Sequence, residues 1–323
     1  MLEELKGHGL LIHHWDTDGI CSARLLLKHL SSKNLENKTP VLGNYYLTET
    51  ELEAYTNYDF VIIADMALPK EHILTLAQNA QVMIFDHHLQ EEIKEVDHIN
   101  PIIKGENPDE YPSASWIIND YLRKKPNLYA LLGILGDHEQ RITNNAKFAQ
   151  LITDFAQQHS LTFAALLQMV YLLDSNYKLG DKKAVENAPH LLLQYNAPAD
   201  ILNNPEWNKN LTRLTEEITR QLELPADEIN GTIFKKIETP YNIISTITRK
   251  ISWGSGKDTV VINTGFFDDK DQVYVRSKKN VEPMIKRGKS LGFKCGGKKE
   301  VLGAIVPKHK TDTFVQEILE FLK

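Results

Sequence analysis

Short apolar runs alternate with helix-like stretches over residues 9–135. The runs are Gly9-Leu-Leu-Ile-His-His, Pro40-Val-Leu-Gly, Phe60-Val-Ile-Ile-Ala and Val82-Met-Ile-Phe. Continuous runs of this length are typical of strands that are buried on both faces. The stretches between them predict helices at Ser22–Leu30, Lys70–Gln78 and Ser113–Arg123. This alternation predicts a parallel α/β sheet with flanking helices.

The pattern becomes helical between about residues 145 and 222. Apolar residues at three- and four-residue spacing predict helices at Phe148–His159, Phe163–Leu173, Lys183–Tyr195 and Asn210–Leu222. The segment Glu223–Gly231 contains Pro225 and predicts a linker. Further apolar runs begin at Gly231, Thr259, Gln272 and Gly303, and an amphipathic helix covers Thr311–Leu322. We expect a catalytic domain at 1–190, a helical connector and linker at 191–230, and a smaller α/β domain at 231–323.

Length and composition exclude several classes of protein. A chain of 323 residues is long enough for two domains, and its net charge of −6 excludes an overall polycation that coats nucleic acid. The two cysteines, Cys21 and Cys295, exclude a disulfide framework or a cysteine-rich zinc site. No apolar run approaches the length of a membrane span, and the acidic N-terminus does not resemble a signal peptide. We therefore expect a cytoplasmic protein.

Acidic residues follow the apolar runs of the first region. Asp16 and Asp18 come directly after the first run, Asp65 follows the run at Phe60, and Asp86-His87-His88 follows the run at Val82. A helix predicted at Leu128–Leu135 stops at Gly136-Asp137. Ligands of parallel sheets bind beyond the carboxyl ends of the strands, so we expect these acids to share one edge.

A set of carboxylates and imidazoles at one edge suits hydrolysis with two metal ions. Two divalent ions about 3.5–4 Å apart activate water and stabilise phosphoryl charge, usually with one shared carboxylate. Mixed carboxylate and imidazole ligands favour Mn²⁺, with Mg²⁺ or Co²⁺ as alternatives. The sequence therefore predicts two ions at this edge, most simply Mn²⁺.

The ordered motifs resemble those of the DHH phosphoesterase superfamily. They are His14-x-Asp16-x-Asp18-Gly19, Asp65 after its strand, Asp86-His87-His88 and Gly136-Asp137, and their form is most similar to the archaeal RecJ-like branch. The resemblance implies that one ion is held by His14, Asp16 and Asp65, and the other by Asp18, Asp65, His87 and Asp137. It also implies that His88 contacts the scissile phosphate and that Asp86 orients the histidines. Asp65 would bridge the two ions.

The C-terminal region resembles the DHHA1 substrate-binding domain of the same superfamily. The matching pieces are Val275-Arg276-Ser277 and Gly296-Gly297-Lys298-Lys299, followed by Gly303-Ala304. Lys298 stands where the family usually has a histidine, and it could contact a phosphate as a point charge. The resemblance implies substrate binding by His88 and by the residues Arg276, Ser277, Gly296, Gly297, Lys298 and Gly303.

Charge in this region agrees with a polyphosphate ligand. Nine basic residues and one acid lie between Val273 and Lys299, which is the footprint expected for binding of nucleic acid. Aromatic side chains that could stack on bases are Phe266, Phe267, Tyr274 and Phe293.

Three functions remain open from the sequence. The first is a metal-dependent phosphodiesterase, an exonuclease on single-stranded nucleic acid or short oligonucleotides, with a replication or repair protein as a partner. The second keeps the chemistry on a small substrate, such as a cyclic dinucleotide, a nucleotide bisphosphate or pyrophosphate. The third is a replication scaffold that has the fold but no activity. Cleavage polarity, the choice of DNA or RNA and the oligomeric state stay open.

Overall fold

The chain forms two compact units. The computed structural model describes residues 2–323, and the side chain of Lys298 lies outside the part described. The first unit contains the residues up to Tyr177 together with Asp181–Lys209, and the second contains Lys178–Gly180 with Asn210–Lys323. The first unit includes all of the predicted metal ligands, and the second includes the predicted glycine pair and Arg276.

The first unit is built on a five-stranded parallel sheet. Its strands are β1 (His8–His13), β2 (Asn34–Lys38), β3 (Phe60–Ala64), β4 (Gln81–Phe85) and β5 (Asp97–Ile99), in the order β2-β1-β3-β4-β5. Every residue of β3 is buried, as its continuous apolar run predicts. The predicted parallel α/β sheet is confirmed, and its three central strands match their predicted runs.

Helices connect and flank these strands. They are α1 (Thr17–His29), α2 (Glu49–Tyr55), α3 (Lys70–Ala77), α4 (Ala114–Tyr121), α5 (Leu128–His138), α6 (Ala146–Gln158), α7 (Phe163–Lys178), α8 (Lys182–Gln194) and α9 (Pro198–Leu202). Helix α10 (Pro205–Glu223) begins in the first unit and lies mostly in the second. Short 3₁₀ turns cover Leu2–Glu4, Ile102–Lys104, Pro108–Glu110 and Glu139–Asn144.

Two predictions about the start of the first unit are wrong. The apolar run Pro40-Val-Leu-Gly is not a strand. The strand is β2, a largely polar segment at the edge of the sheet, and only Asn37 in it is buried, so the strand carries no apolar alternation. Helix α1 begins at Thr17 rather than Ser22, because the Asp16 side chain accepts a hydrogen bond from the Gly19 backbone N–H and caps the helix.

The second unit contains a six-stranded mixed sheet. Its strands are β6 (Asp227–Ile229), β7 (Thr232–Ile237), β8 (Thr259–Asn263), β9 (Lys270–Arg276), β10 (Lys294–Lys298) and β11 (Val301–Pro307), in the order β10-β11-β9-β8-β7-β6. Only the β7–β8 pair is parallel. The helices are α11 (Ile244–Ser255), α12 (Glu282–Ser290) and α13 (Lys308–Leu322). Helices α12 and α13 pack on one apolar cluster with β9 and β11.

Several elements here differ from the sequence predictions. The segment predicted as a linker contains β6, which pairs with β7 across a turn at Asn230 and Gly231, both with positive φ, as tight hairpins require. Helix α10 begins at Pro205 rather than Asn210, and α7 continues to Lys178. Strand β10 was not predicted, because its sequence, Lys-Cys-Gly-Gly-Lys, lacks an apolar run. The boundaries 1–190, 191–230 and 231–323 stay a prediction.

Between residues 2 and 323, no helix combines the length and the apolar character needed to cross a bilayer.

Candidate metal centre

The loop from β1 to α1 supplies the first three polar side chains. The backbone N–H of His14 donates to the Ala64 carbonyl (3.2 Å), which holds the loop against the end of β3. The imidazole Nδ1 of His14 lies 2.8 Å from Asp16 Oδ2. A Cβ atom on Gly19 would overlap the His14 carbonyl. Glycine is therefore needed here to make room for the loop, rather than for an unusual φ angle.

Asp18 is fully buried and held by the start of α4. Its Oδ2 accepts the Ala114 backbone N–H (2.7 Å), and its Oδ1 accepts the Ser115 N–H (3.0 Å). These donors and the positive end of the helix favour a carboxylate at this place. Gly133 on α5 leaves the necessary space, since a Cβ there would overlap both Asp18 Oδ1 and Ser115 Oγ.

Asp65 lies in the middle of the site with its two oxygens facing different partners. Its Oδ2 is 3.6 Å from His14 Nδ1, and its Oδ1 is 3.5 Å from His87 Nε2. The residue is only 2% exposed and has a φ of 61°, in the left-handed region. Strained backbone of this kind is concentrated at functional sites. This one carboxylate therefore connects the β1 loop with the segment that follows β4.

The three residues after β4, Asp86, His87 and His88, make two separate sets of contacts. His87 Nε2 lies 3.1 Å from Asp137 Oδ2. The buried Asp86 carboxylate pairs through Oδ1 with His88 Nδ1 (2.7 Å) and accepts the Gln90 side-chain amide through Oδ2. Asp86 thus contacts His88, while His87 faces the carboxylates.

Asp137 belongs to a helix rather than to a loop after one. The predicted end of the helix at Leu135 is wrong, because α5 continues to His138 and Asp137 lies in its last turn. Its side chain still reaches His87. Gly136 comes close to Thr17, with a Cβ there 3.1 Å from the Thr17 Cβ, so α5 passes directly beside the β1–α1 loop.

The predicted ligands converge in three overlapping groups. The ligand atoms in each group lie within 4.8 Å of one another, and the groups are His14–Asp16–Asp65, Asp18–His87–Asp137 and Asp65–His87–His88. Asp65 and His87 each belong to two groups. His13 takes part in none of these groups; it is buried, with Nδ1 against the His14 carbonyl. The edge of the sheet thus brings together all six predicted metal ligands.

Burial, together with the crowding of like charges, raises the pKa values of two carboxylates in the site. Burial and the neighbouring Asp137 raise the pKa of Asp18 to about 6. Burial together with Asp18 and Asp16 raises the pKa of Asp65 well above its ordinary value. Burial opposes the charged form of His87, but the Asp137 carboxylate dominates and raises its pKa. The raised pKa values mean that bound protons reduce the repulsion among these acids. A cation bound at the same place would reduce it too.

Buried polar atoms without hydrogen-bond partners indicate where a cation fits. In the described part of the chain they include both ring nitrogens of His14, Asp65 Oδ2 and Asp137 Oδ2. Two of these atoms lie close to an oppositely charged neighbour: His14 Nδ1 is 2.8 Å from Asp16 Oδ2, and Asp137 Oδ2 is 3.1 Å from His87 Nε2. Unpaired buried polar atoms are costly. Their convergence, with oxygen and imidazole nitrogen as donors, fits divalent ions such as Mn²⁺ or Mg²⁺.

Asp174, which is distant in the sequence, contacts the loop between β1 and α1 and was not predicted from the sequence. Asp174 on α7 accepts the backbone N–H of Thr17 (3.0 Å) and its hydroxyl (2.7 Å) through the same Oδ1 atom. Thr17 lies between Asp16 and Asp18, so this contact fixes the orientation of both. No local pattern identifies Asp174, because its partner is 157 residues away.

The predicted substrate residues of the second unit lie along neighbouring strands. Arg276 at the end of β9 pairs with Val301, and Gly296 pairs with Gly303 across β10 and β11. Gly297 has a φ of 146°, and a Cβ there would overlap the backbone of Val301. Ser277 is buried, and its hydroxyl accepts the Lys279 N–H (2.9 Å). The predicted contribution of the Lys298 side chain lies outside the described part.

Two features of the predicted basic and aromatic surface are wrong. Phe293 is 6% exposed and belongs to the apolar core, where it contacts Phe314, so its ring is not available for a base. Arg287 makes a two-point ion pair with Glu317 (2.8 and 3.0 Å), which occupies its guanidinium. Tyr274 is partly buried against a second core cluster.

An exposed tryptophan adjoins Arg276 and was not predicted. Trp253 on α11 is 56% exposed, and the guanidinium carbons of Arg249 and Arg276 each lie 5.3 Å from its ring centroid. Arg249 precedes Trp253 by one helical turn, so an Arg-x-x-x-Trp spacing was the available signal. Aromatic rings flanked by cations are typical of surfaces that bind single-stranded nucleic acid.

The fold and the site together define an α/β protein whose parallel sheet carries a carboxylate and imidazole centre suited to divalent metals. Residues 10–153 match the model of the DHH family, N-terminal domain, so the first unit contains a domain of this family. A comparison with curated protein sequences finds no significant match.

Solved structures share this fold over almost the whole chain. RecJ from Thermus thermophilus in complex with Mn²⁺ has a TM-score of 0.74 at 16% identity, over 99% of this chain and 53% of that chain. An exonuclease RecJ bound to manganese has a TM-score of 0.69 at 16% identity, over 99% of this chain and 92% of that one. A pGpG-specific phosphodiesterase from Vibrio cholerae, PggH, has a TM-score of 0.53 at 13% identity, over 98% and 99%. This chain therefore spans about half the length of the Thermus RecJ, and identities this low establish the fold alone.

Proposed function

We propose that the protein is a divalent-metal-dependent phosphodiesterase, an exonuclease that acts on single-stranded nucleic acid or short oligonucleotides. One observation carries the proposal: the buried Asp65 carboxylate presents one oxygen to His14 and the other to His87. A shared carboxylate between two ligand groups is what a two-metal hydrolytic site requires.

His14, Asp16 and Asp65 would hold one ion, and Asp18, Asp65, His87 and Asp137 the other. Two of the three observed ligand groups support this division. When bound, such ions lower the pKa of water and neutralise charge on a phosphoryl group. Mn²⁺ is the proposed metal, with Mg²⁺ or Co²⁺ as alternatives, because the donors are oxygen and imidazole nitrogen.

His88 is the proposed contact to the scissile phosphate. Because its Nδ1 is engaged by Asp86 (2.7 Å), Nε2 is the ring nitrogen left for a substrate oxygen. The His88 side chain is 41% exposed, whereas the Asp86 side chain is fully buried. Asp86 therefore fixes the ring while His88 remains open to a ligand.

The second unit would bind the remainder of the strand. Arg276 and the exposed Trp253 provide a cation and a ring for a phosphate and a base. A single-stranded nucleic acid is therefore the proposed ligand, and a replication or repair protein the proposed partner. We also propose a cytoplasmic location.

Product analysis on single strands labelled at the 5′ or 3′ end tests the proposal. With Mn²⁺ we expect stepwise release of nucleotides from one end, and we expect a chelator to stop it. The label that is released first gives the polarity. If no single strand of any length is shortened with Mn²⁺, Mg²⁺ or Co²⁺, the exonuclease assignment is wrong.

A small nucleotide is the second candidate substrate. The fold similarity to PggH, a pGpG-specific phosphodiesterase, covers 98% of this chain and 99% of that one, which supports a dinucleotide as an alternative substrate. Turnover of oligomers from two to about twenty nucleotides, beside a cyclic dinucleotide and pyrophosphate, separates the candidates. Higher kcat/KM on the longest strands supports the exonuclease, and activity confined to dinucleotides supports the alternative.

The third candidate, an inactive scaffold, has less support. A site without catalytic function has no need to keep several acids together, and here the buried Asp18 and Asp65 converge with the half-buried Asp16 and Asp137. Absence of metal-dependent hydrolysis on every phosphoester tested would favour the scaffold.

A further inference from the structure

An exposed aromatic ring stands beside the first ligand group. Tyr45 is 61% exposed, and its ring stacks at 5.8 Å from the His14 imidazole with an angle of 28° between the planes. On another side it contacts Trp15 at 5.2 Å. Trp15 is 4% exposed and packs against His14. The three rings therefore form one cluster whose most exposed member is Tyr45.

The loop that carries Tyr45 is anchored on both sides. Leu42 and Leu47 are buried, 6% and 2% exposed. The Asn44 N–H donates to the Val41 carbonyl (2.9 Å), and the Leu47 N–H donates to His72 Nδ1 (3.1 Å). The anchors hold the loop while Tyr45 points away from the core. An aromatic side chain is thus held in place near the metal centre before any substrate arrives, which lowers the entropy lost on binding.

The position of the ring suits the nucleoside part of a substrate. The His14 Nδ1 atom is 2.8 Å from Asp16 and 3.6 Å from Asp65, so His14 joins Tyr45 directly to the carboxylates. A phosphate bound at these residues would bring its attached nucleoside next to the cluster. Every base has an apolar face that can stack on an aromatic ring, whereas inorganic polyphosphate has none.

We propose that Tyr45 stacks on the base of the nucleotide whose phosphate occupies the carboxylate and imidazole centre, and that this contact makes the centre selective for nucleotides over inorganic polyphosphate. This inference rests on the proposed phosphodiesterase function and specifies which part of the substrate the first unit recognises. Tyr45 is a specificity-determining residue in this proposal, since it contacts the substrate without taking part in bond cleavage.

The test compares two oligonucleotides that differ only in the base of the nucleotide to be released, one normal and one abasic on the same backbone. For the wild type we expect kcat/KM to fall about tenfold when the base is missing, mainly through KM. Tyr45→Ala should lose about tenfold on the normal strand and show no further loss on the abasic strand. Tyr45→Phe keeps the ring and should behave like the wild type.

Val41→Ala is the matched control, because Val41 is an exposed apolar residue next to the same loop (40% exposed). It should leave both substrates unaffected. Mn²⁺ affinity measured by calorimetry should be unchanged in Tyr45→Ala, which excludes an indirect effect through His14. Equal losses on normal and abasic strands, or no loss on either, would overturn the role of Tyr45.

Equilibrium binding of the same two strands distinguishes this inference from the proposed function. If the wild type cleaves neither strand but binds the normal one more tightly, and Tyr45→Ala removes that difference, the stacking proposal stands and the phosphodiesterase assignment fails. If the wild type cleaves both strands and binds them equally, the stacking proposal fails alone.

Discussion

The two sheets present opposite chemistry at their ends. In the first unit, buried and half-buried carboxylates and imidazoles from four chain segments converge at the carboxyl edge of a parallel sheet. In the second, an exposed tryptophan and two arginines gather at the end of a mixed sheet. Buried converging acids suit a task that needs fixed geometry and cations. Exposed cations and rings suit binding of a flexible anionic chain. We therefore expect variants of the first unit to change kcat and variants of the second to change KM.

The largest effect is expected from Asp65→Asn. Asparagine tolerates the left-handed backbone of this position (φ 61°), so the change removes the charge shared by both ligand groups and little else. Metal ions contribute several kcal/mol to stabilisation of the transition state, which predicts a loss of about 10³-fold in kcat. Steady-state kinetics with Mn²⁺ measures it, and circular dichroism checks the fold.

Asp97→Asn is the control for this change. Asp97 is an exposed acid on β5 and belongs to none of the ligand groups. It should keep full activity. An Asp65→Asn variant that retains more than about a tenth of the wild-type rate would contradict the shared-carboxylate model.

Asp174→Ala tests whether the first loop depends on a distant support. Loss of the carboxylate leaves the Thr17 N–H and hydroxyl without this acceptor, and such supporting contacts typically contribute 10- to 100-fold to metal affinity or activity. We expect a decrease of about that size in kcat and in Mn²⁺ affinity. Asp174→Asn keeps an acceptor oxygen and should recover most of both.

The control on the same helix is Gln168→Ala, an exposed position of α7 that should change nothing. A purely structural role for Asp174 predicts a lower melting temperature with unchanged Mn²⁺ affinity. That result would show that Asp174 stabilises the fold without affecting metal binding.

Metal removal should destabilise the protein by a measurable amount. Ions that bind only the folded state stabilise it by about 2.7 kcal/mol at a concentration 100 times Kd, and the acids crowded around Asp65 repel one another when no such ion is bound. Thermal unfolding in Mn²⁺ and in chelator measures the difference. The Asp65→Asn variant should show a much smaller difference in thermal stability between Mn²⁺ and chelator. An equal metal response in the wild type and this variant would place the stabilising ion elsewhere.

The sequence predicts the identity of the centre better than its geometry. Buried runs such as Phe60–Ala64 mark central strands, and acids that follow them reach one edge. The left-handed φ of Asp65 leaves no trace in the sequence, because aspartate occurs in every conformation. The Asp174–Thr17 contact spans 157 residues and depends on the packing of α7. The edge strand β2 is largely polar, since most of its side chains are not buried, and therefore gives no apolar signal.

The smallest effects should come from the second unit, where Trp253→Ala and Arg276→Ala test the binding side of the comparison. Stacking on an exposed ring contributes about 1–3 kcal/mol, so Trp253→Ala should weaken binding of a single strand by about tenfold at every salt concentration. Arg276→Ala should weaken it by a similar factor at low salt and lower the salt slope by about one. Arg287→Ala is the control, because Glu317 already occupies that guanidinium. Fluorescence anisotropy at several salt concentrations measures all three. If either variant lowered kcat rather than affinity, the division between a catalytic first unit and a binding second unit would be wrong.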